Sequence, residues 1–315
     1  MSRIGTLLGA VATIALAAAL AAPASAKDLK SIGITVGSLG NPFFVQIVKG
    51  AETKAKEIAG PTVSITTVSA DYDLNKQSTQ LDNFTASGVD LVLVNAADPN
   101  AIEPALVRLR AAGIISVAID VSAKGADATV QTNNIEAGQK ACGYIADKLK
   151  GKGNVVIMNG PPVSSVIDRV TGCKDILSKS PGIKILSDNQ NGKGSREGGL
   201  EVMIGLLTAY DKIDAVFTIN DPQAIGADLA AKQLNRTDLF ITSVDGAPDI
   251  EVSLKQPGSL IEASAAQDPY GIAQKAVEVG NAIFQGKPPA EKVVLIPAEL
   301  ITRDNVGKYK GWTAK

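Results

Sequence analysis

The sequence has no histidine among its 315 residues, and only 4% of its residues are aromatic. Without histidine the chain cannot form a Ser-His-Asp or Cys-His catalytic arrangement, and the usual zinc sites lose a principal ligand. Acidic and basic residues nearly balance, at a net charge of −1, and no basic run offers a surface for nucleic acid. We therefore expect no metal site and no nucleic-acid partner.

Long apolar runs are confined to the N-terminus, where residues 1–26 read MSRIGTLLGAVATIALAAALAAPASA. Arg3 is the only charged residue there, the centre is rich in alanine, and Ala24-Ser25-Ala26 is a small-residue cleavage site. This pattern predicts a cleaved signal peptide over residues 1–26 and export of the remaining chain. A membrane anchor is the alternative, and the polar residues that follow at once argue against it.

Cysteine is also scarce, because the chain holds only Cys142 and Cys173. In an exported protein such a pair favours one disulfide bond, since the compartments outside the cytosol are oxidising. Two buried free thiols are the alternative.

Short runs rich in valine and isoleucine recur along the chain, among them SIGITV, LVLVNAA, NVVIMNG and FITSVDG. Their apolar residues are successive rather than alternate, which is typical of parallel strands that are covered on both faces. Helical spacing fills the gaps, as in residues 42–60, where the predicted apolar stripe is Val45, Val48, Ala51 and Ala55. This alternation predicts an α/β fold of two Rossmann-like lobes with parallel sheets, and a (β/α)8 barrel is the competing architecture.

Polar side chains end almost every predicted strand, and in doubly wound sheets this edge holds the ligand. The residues concerned are Asn95, Asp120, Asn133, Asn159, Asp188, Asn220, Asp245 and Gln267. Amides both donate and accept hydrogen bonds, as sugar hydroxyls do, so the set suits a neutral polyol. Each residue taken alone is equally typical of a helix cap or a turn.

The stretch GNPFF places two adjacent phenylalanines at a predicted turn from strand to helix. Asn41 before Pro42 is typical of a helix N-cap followed by proline in the first turn. Adjacent helical side chains point about 100° apart, so Phe43 and Phe44 cannot face one core equally. We expect one to pack inward and the other to offer the ligand an apolar platform.

Several motifs, found in the same order over the whole chain after residue 26, together carry a family resemblance. They are GNPFF, AID at 118–120, DRVTG, VFTINDPQAIGA, VDGAPD and AAQDPYGIA. The chain resembles the ribose-binding-protein-like sugar-binding proteins of ABC importers, which have the type I periplasmic binding protein fold. The resemblance implies two lobes joined by a multi-strand hinge, one formed by residues 27–132 and 268–297, the other by 133–267 and 298–315. Cys142 and Cys173 would then lie on two helices of the second lobe.

In that family the ligand lies between lobes that close around it. The resemblance implies ligand-binding residues from both lobes: Asn41, Phe43, Phe44, Asp120, Arg169, Asn220, Asp245 and Gln267. Ser38 and Tyr72 are further candidates. The chain departs from ribose-binding protein at Val121, where that protein has an arginine, and at Gly194, where it has an aromatic residue. These departures disfavour ribose itself and leave room for a different or larger ligand.

The function implied is that of a periplasmic solute-binding protein, which binds a monosaccharide or sugar alcohol by hinge closure. Its partners would be a membrane permease and a chemoreceptor, and a monomer is the family's usual state. One alternative is an exported protein that presents a non-sugar molecule, such as an autoinducer or nucleoside, to a chemoreceptor. A nucleotide-dependent enzyme is disfavoured, because GSLGNP is not a G-x-G-x-x-G turn and no P-loop pattern occurs. We expect no catalytic residues and no cofactor.

Overall fold

The structure is a computed structural model that describes residues 28–312, so the predicted signal peptide lies outside the described residues. The strands are β1 (Ser31–Val36), β2 (Ser64–Ser69), β3 (Leu91–Val94), β4 (Ile115–Ile119), β5 (Ala128–Thr132), β6 (Lys152–Met158), β7 (Gly182–Ser187), β8 (Ala215–Thr218), β9 (Phe240–Asp245), β10 (Ile261–Ala266), β11 (Val293–Ile296) and β12 (Glu299–Thr302). The α-helices are α1 (Pro42–Ala59), α2 (Leu74–Ser87), α3 (Glu103–Ala111), α4 (Asn134–Lys148), α5 (Ser164–Leu177), α6 (Arg196–Ala209), α7 (Asp221–Gln233), α8 (Pro248–Lys255) and α9 (Pro269–Phe284).

The strands form two six-stranded sheets with the orders β11-β5-β4-β3-β1-β2 and β12-β10-β9-β8-β6-β7. Neighbouring strands are parallel except β10 and β12, which are antiparallel. Apolar clusters lie on both faces of each sheet, which explains why the strand sequences are apolar at successive positions. The predicted α/β fold is confirmed, and two open sheets exclude the (β/α)8 barrel.

The chain passes between the sheets after β5, after β10 and between β11 and β12. Two of these crossings are hydrogen-bonded to each other, because the Thr132 hydroxyl donates to Gln267 Oε1 at 2.6 Å. The backbone N–H of Asn133 also donates to the carbonyl of Ile296. The crossings therefore lie together rather than as separate linkers. Within residues 28–312, none of the helices is long and apolar enough to cross a membrane.

Helix α1 begins as predicted, with Asn41 Oδ1 accepting a hydrogen bond from the Phe43 N–H. The predicted apolar stripe was wrong at Val45, which is 37% exposed. The larger phenylalanines take the inward positions, so the buried face runs instead through Phe44, Ile47, Ala51 and Ala55. Burying Phe44 and Ile47 removes more apolar area from water than burying Val45 and Val48 would.

Helices α4 and α5 pack backbone to backbone. A Cβ atom added at Gly138 would lie 2.0 Å from the carbonyl oxygen of Arg169, and one at Gly172 would lie 2.1 Å from that of Ile135. The predicted disulfide is confirmed, since Cys142 and Cys173 are bonded across the same two helices. Bridging positions 31 residues apart restricts the unfolded chain and contributes about 3–4 kcal/mol to stability.

Candidate functional site

Two carboxylates mark the carboxyl edges of the two sheets. Asp120 directly follows β4 and has a φ of 67°, and Asp245 ends β9 with a φ of 135°. Non-glycine residues adopt positive φ rarely, at a cost of about 1–3 kcal/mol each, and such strain concentrates at functional sites. Both residues are buried. The backbone of both Asp120 and Asp245 therefore has an unusual conformation at the point where each side chain leaves the end of its strand.

Arg169, on α5, is the buried cation of this region and is 5% exposed. Its Nε donates to Asn134 Oδ1 at 2.8 Å, and its Nη1 donates to the carbonyl of Ile219 at 2.8 Å. Nη1 also lies 3.4 Å from Asp245 Oδ1. Nη2 makes no hydrogen bond within residues 28–312, so its two N–H groups remain for another acceptor. The guanidinium is thus fixed on one side and available on the other.

A chain of hydrogen bonds connects Asp245 with the first sheet. Gln267 Nε2 donates to Asp245 Oδ1 at 2.7 Å, while Gln267 Oε1 accepts from Thr132 at the end of β5. Burial raises the pKa of Asp245, and the neighbouring Arg169 charge opposes that rise. Gln267 therefore orients Asp245 and anchors it to a strand of the other sheet.

Asp120 approaches the same cluster from the first sheet. Asn95 Nδ2 donates to Asp120 Oδ2 at 2.9 Å, and Oδ1 has no hydrogen-bond partner within residues 28–312. Burial raises the pKa of Asp120 to about 6, with Arg169 lowering it and Asp245 raising it further. Asp120 and Asp245 thus each lie at the end of a strand of a different sheet, and both are buried. One carboxylate oxygen is left to accept a ligand hydroxyl.

Aromatic rings line the first-sheet side. Phe43 and Phe44 are both buried in the apolar core of the first sheet and pack edge to face with ring centroids 5.4 Å apart, so the expectation that only one of them packs inward was wrong. Phe44 contacts Tyr72 at 6.4 Å, and a Cβ atom on Gly37 would lie 2.5 Å from the Tyr72 ring. Burial around the Tyr72 hydroxyl and the charge of Asp120 raise the pKa of Tyr72 to about 12, while a hydrogen bond with Asn41 opposes this. Tyr72 is nevertheless 55% exposed, so its ring packs against the edge of this cluster while much of its surface faces solvent.

Two sequence-predicted residues have structural partners of their own. Asn220 caps α7, with Oδ1 accepting from the Gln223 N–H at 3.1 Å and Nδ2 donating to the Gly194 carbonyl at 2.9 Å. Ser38 is partly buried, and its carbonyl accepts from the Asn41 N–H in the turn before α1. Neither side chain is bonded to the Asp120–Arg169–Asp245 cluster.

The two sheets also meet directly beside the cluster. The Ser122 N–H, just after Asp120, donates to Ser164 Oγ at the start of α5 at 2.9 Å. Val163 packs against apolar clusters of both sheets. The residues gathered here are therefore enclosed between the two sheet edges.

Sequence reasoning did not assign three residues that hold predicted site residues in place: Thr132, Asn134 and Asn95. Asn95 was identified only as a strand-end residue, although it holds Asp120. Asn134 is 1% exposed, which is unusual for an asparagine, but burial is not visible in a sequence. The predicted strand-end residues Asn159 and Asp188 bond to each other instead, through Asn159 Nδ2 and the Asp188 carbonyl.

Comparisons with known proteins agree with this geometry. Residues 32–288 match the family described as periplasmic binding protein domain. The chain is 34% identical over 276 residues to the ribose import binding protein RbsB of Bacillus subtilis, covering 87% of each chain. It is 30% identical over 313 residues to a xylitol-binding protein of Mycolicibacterium smegmatis, covering 97% of this chain and 87% of that one. The crystal structure of a Bacillus halodurans ABC transporter solute-binding protein with bound myo-inositol superposes with a TM-score of 0.81 at 26% identity, covering 90% of this chain and 98% of that one.

Proposed function

Because this chain belongs to the periplasmic binding protein family, we propose that it is the solute-binding protein of an ABC importer and takes a sugar or polyol. The observation that carries the proposal is geometric: Asp120 and the Arg169–Asp245 pair lie at the carboxyl ends of the two sheets, and these ends are joined by the Ser122–Ser164 and Thr132–Gln267 hydrogen bonds. Carboxylates accept hydrogen bonds from hydroxyl groups, and the guanidinium donates to hydroxyl oxygens. Family and site chemistry both indicate a binding protein rather than an enzyme.

The proposed ligand-binding set joins both lobes. It consists of Asn41, Phe43, Phe44, Asp120, Arg169, Asn220, Asp245 and Gln267, with Ser38 and Tyr72 as further contacts. The lobes proposed are residues 27–132 with 268–297, and residues 133–267 with 298–315. A ligand that contacts both lobes stabilises the closed arrangement by the difference between its affinities for the closed and open states.

Two positions support a ligand other than ribose. Val121 is buried in the apolar core, so no second cation stands beside Asp120 at that position. Gly194 has a φ of 64°, a conformation that an aromatic residue would adopt only with strain. A Cβ atom there would lie 3.5 Å from Asn220 Nδ2. We propose that Tyr72, from the other lobe, contacts the ligand in place of an aromatic side chain at position 194.

The cellular setting follows from the family. We propose that residues 1–26 direct export and are removed, that the protein works in the periplasm, and that its partner is an ABC permease. We further propose that the protein is a monomer and that it also presents its ligand to a chemoreceptor.

A thermal-shift screen of the protein without residues 1–26 tests the proposed function. Pentoses, hexoses, tetroses and sugar alcohols are the main panel, and amino acids and nucleosides are the comparison panel. A ligand at about 100 times its dissociation constant adds about 2.7 kcal/mol of stability, which gives a clear rise in melting temperature. Hits confined to the comparison panel, from protein of native circular dichroism, would overturn sugar binding in favour of another solute.

The pH dependence of affinity tests the role of Asp120. Its pKa of about 6 in the free protein falls when ligand hydroxyls bind the ionised form, so affinity for a neutral polyol rises with pH. We expect binding about tenfold tighter at about pH 7.5 than at about pH 5, by calorimetry. The stability of the ligand-free protein depends on pH in the opposite direction. Because burial raises the pKa of Asp120 in the folded state, its protonated form stabilises the fold at low pH, and this stabilisation is lost as the pH rises from about 4 to about 6.

The matched variant is Asp120→Asn, which keeps the size and shape of the side chain but has no carboxyl group that titrates. It should bind more weakly at high pH and lose most of the slope. An unchanged slope in this variant would assign the pH dependence to another group, such as Asp245.

A further inference from the structure

Trp312 is the only tryptophan of the chain and is 4% exposed. It belongs to the apolar core of the first sheet, where its ring lies 5.6 Å from the Phe43 ring, edge to face. Its indole Nε1 donates at 3.1 Å to two carbonyl oxygens of the second sheet, those of Asp245 and Gln267. One side chain therefore contacts α1 on one side and the ends of β9 and β10 on the other.

The backbone that Trp312 holds is one of the strained segments of the site. Asp245 has a φ of 135° and is followed by Gly246 with a φ of 71°. The Asp245 carbonyl accepts from the Gln267 N–H at 2.9 Å as well as from the indole. An unusual conformation of this kind persists only where its surroundings fix it.

A second residue of the same C-terminal segment acts on the same turn. The Tyr309 hydroxyl donates to the Gly246 carbonyl at 3.0 Å. A Cβ atom on Gly246 would lie 2.6 Å from that hydroxyl, so the glycine is needed for the approach. Residues 303–312, which follow β12, thus fix consecutive carbonyls at the end of β9.

We propose that Trp312 is a positioning residue for ligand binding. This proposal rests on the proposed function. The indole N–H fixes the backbone carbonyls of Asp245 and Gln267, and the indole ring packs against Phe43. Trp312 touches residues proposed to bind the ligand from both lobes without itself being in the ligand set. Affinity then depends on a residue in the C-terminal segment, which the ligand need not touch.

The test uses Trp312→Phe, which keeps an aromatic ring and removes the N–H donor. Hydrogen–deuterium exchange of the ligand-free protein should show faster exchange, by about tenfold, at the Gly246 and Gln267 amides. The matched control is Phe240→Leu, at the opposite end of β9 and also buried. It should lower the melting temperature without selective change at those two amides.

Calorimetry with D-ribose, xylitol and myo-inositol, each titrated separately, gives the second readout. We expect Trp312→Phe to bind about tenfold more weakly, and its effect to be non-additive with that of Asp245→Asn in a double-mutant cycle. Unchanged exchange at both amides, or additive effects in the cycle, would overturn the positioning role. If the wild-type protein binds none of the three, these three ligands are excluded, and the exchange experiment still decides the role of Trp312.

Discussion

Replacing Arg169 with alanine should weaken ligand binding by about 2–4 kcal/mol, because the site loses its charge-assisted donor. The loss has two parts. The ligand loses the N–H groups of Nη2, and Asp245 loses the cation that lies 3.4 Å from its Oδ1. A buried carboxylate without that cation is harder to keep ionised, so it accepts ligand hydroxyls less well. Calorimetry with the best ligand of the screen measures the change.

The control for this variant is Arg196→Ala. Arg196 is also an arginine paired with an aspartate, Asp249, but both side chains are more than half exposed and lie in an exposed ion pair. Surface pairs of this kind contribute about 0–1 kcal/mol, so affinity should not change. Equal affinities of Arg169→Ala and wild type, with both proteins folded, would remove Arg169 from the site.

Gly138→Ala should destabilise the protein, whereas the same substitution at Gly143, the other glycine of α4, should not. The new Cβ would lie 2.0 Å from the Arg169 carbonyl oxygen, which is backbone and cannot rotate away. Relief requires α4 and α5 to separate, although the Cys142–Cys173 disulfide bonds them to each other. Overpacking of this kind costs about 1–3 kcal/mol and sometimes more. Urea unfolding measures the loss, and affinity should fall too, because α5 carries Arg169.

Gly143→Ala is the matched control in the same helix. Within residues 28–312, no atom outside the adjoining turns of α4 lies within 4 Å of its added Cβ. Only helix propensity therefore acts, and stability should rise by about 0.5–1 kcal/mol. Equal effects of the two substitutions would show that the close approach of α4 and α5 does not limit stability.

The parts of the fold that follow from local pattern could be predicted from the sequence. Strand ends are visible because an apolar run stops at a polar residue, so the sequence alone suffices to place Asp120, Asp245 and Gln267 at the ends of strands. Asn41 could be identified as a cap because the Asn-Pro pair has a strong local preference at helix starts.

The remaining features depend on tertiary contacts. Asn133 and Asn134 are adjacent and chemically identical, yet the first caps α4 and the second holds Arg169. Which asparagine caps the helix and which accepts from Arg169 depends on how α4 packs against α5, and the local sequence does not determine that packing. Strands β11 and β12 have four residues each at sheet edges, too short for a clear period. Trp312 follows the last regular element, so neither helical nor strand periodicity marks it.

The order of strands in the first sheet also governs when this protein can fold during its synthesis. Its edge strand β11 is made after the whole second sheet except β12, and α9, which packs on α1, β4 and β5, is made only shortly before. Even Trp312, near the C-terminus, belongs to that first core. A ribosome that has made residues 28–132 has therefore produced strands β1 to β5 without α9, β11 and Trp312, which complete that sheet and its core. The first sheet and its core therefore cannot be completed before residue 312 has been made, and folding of this part of the protein depends on contacts between residues far apart in the sequence.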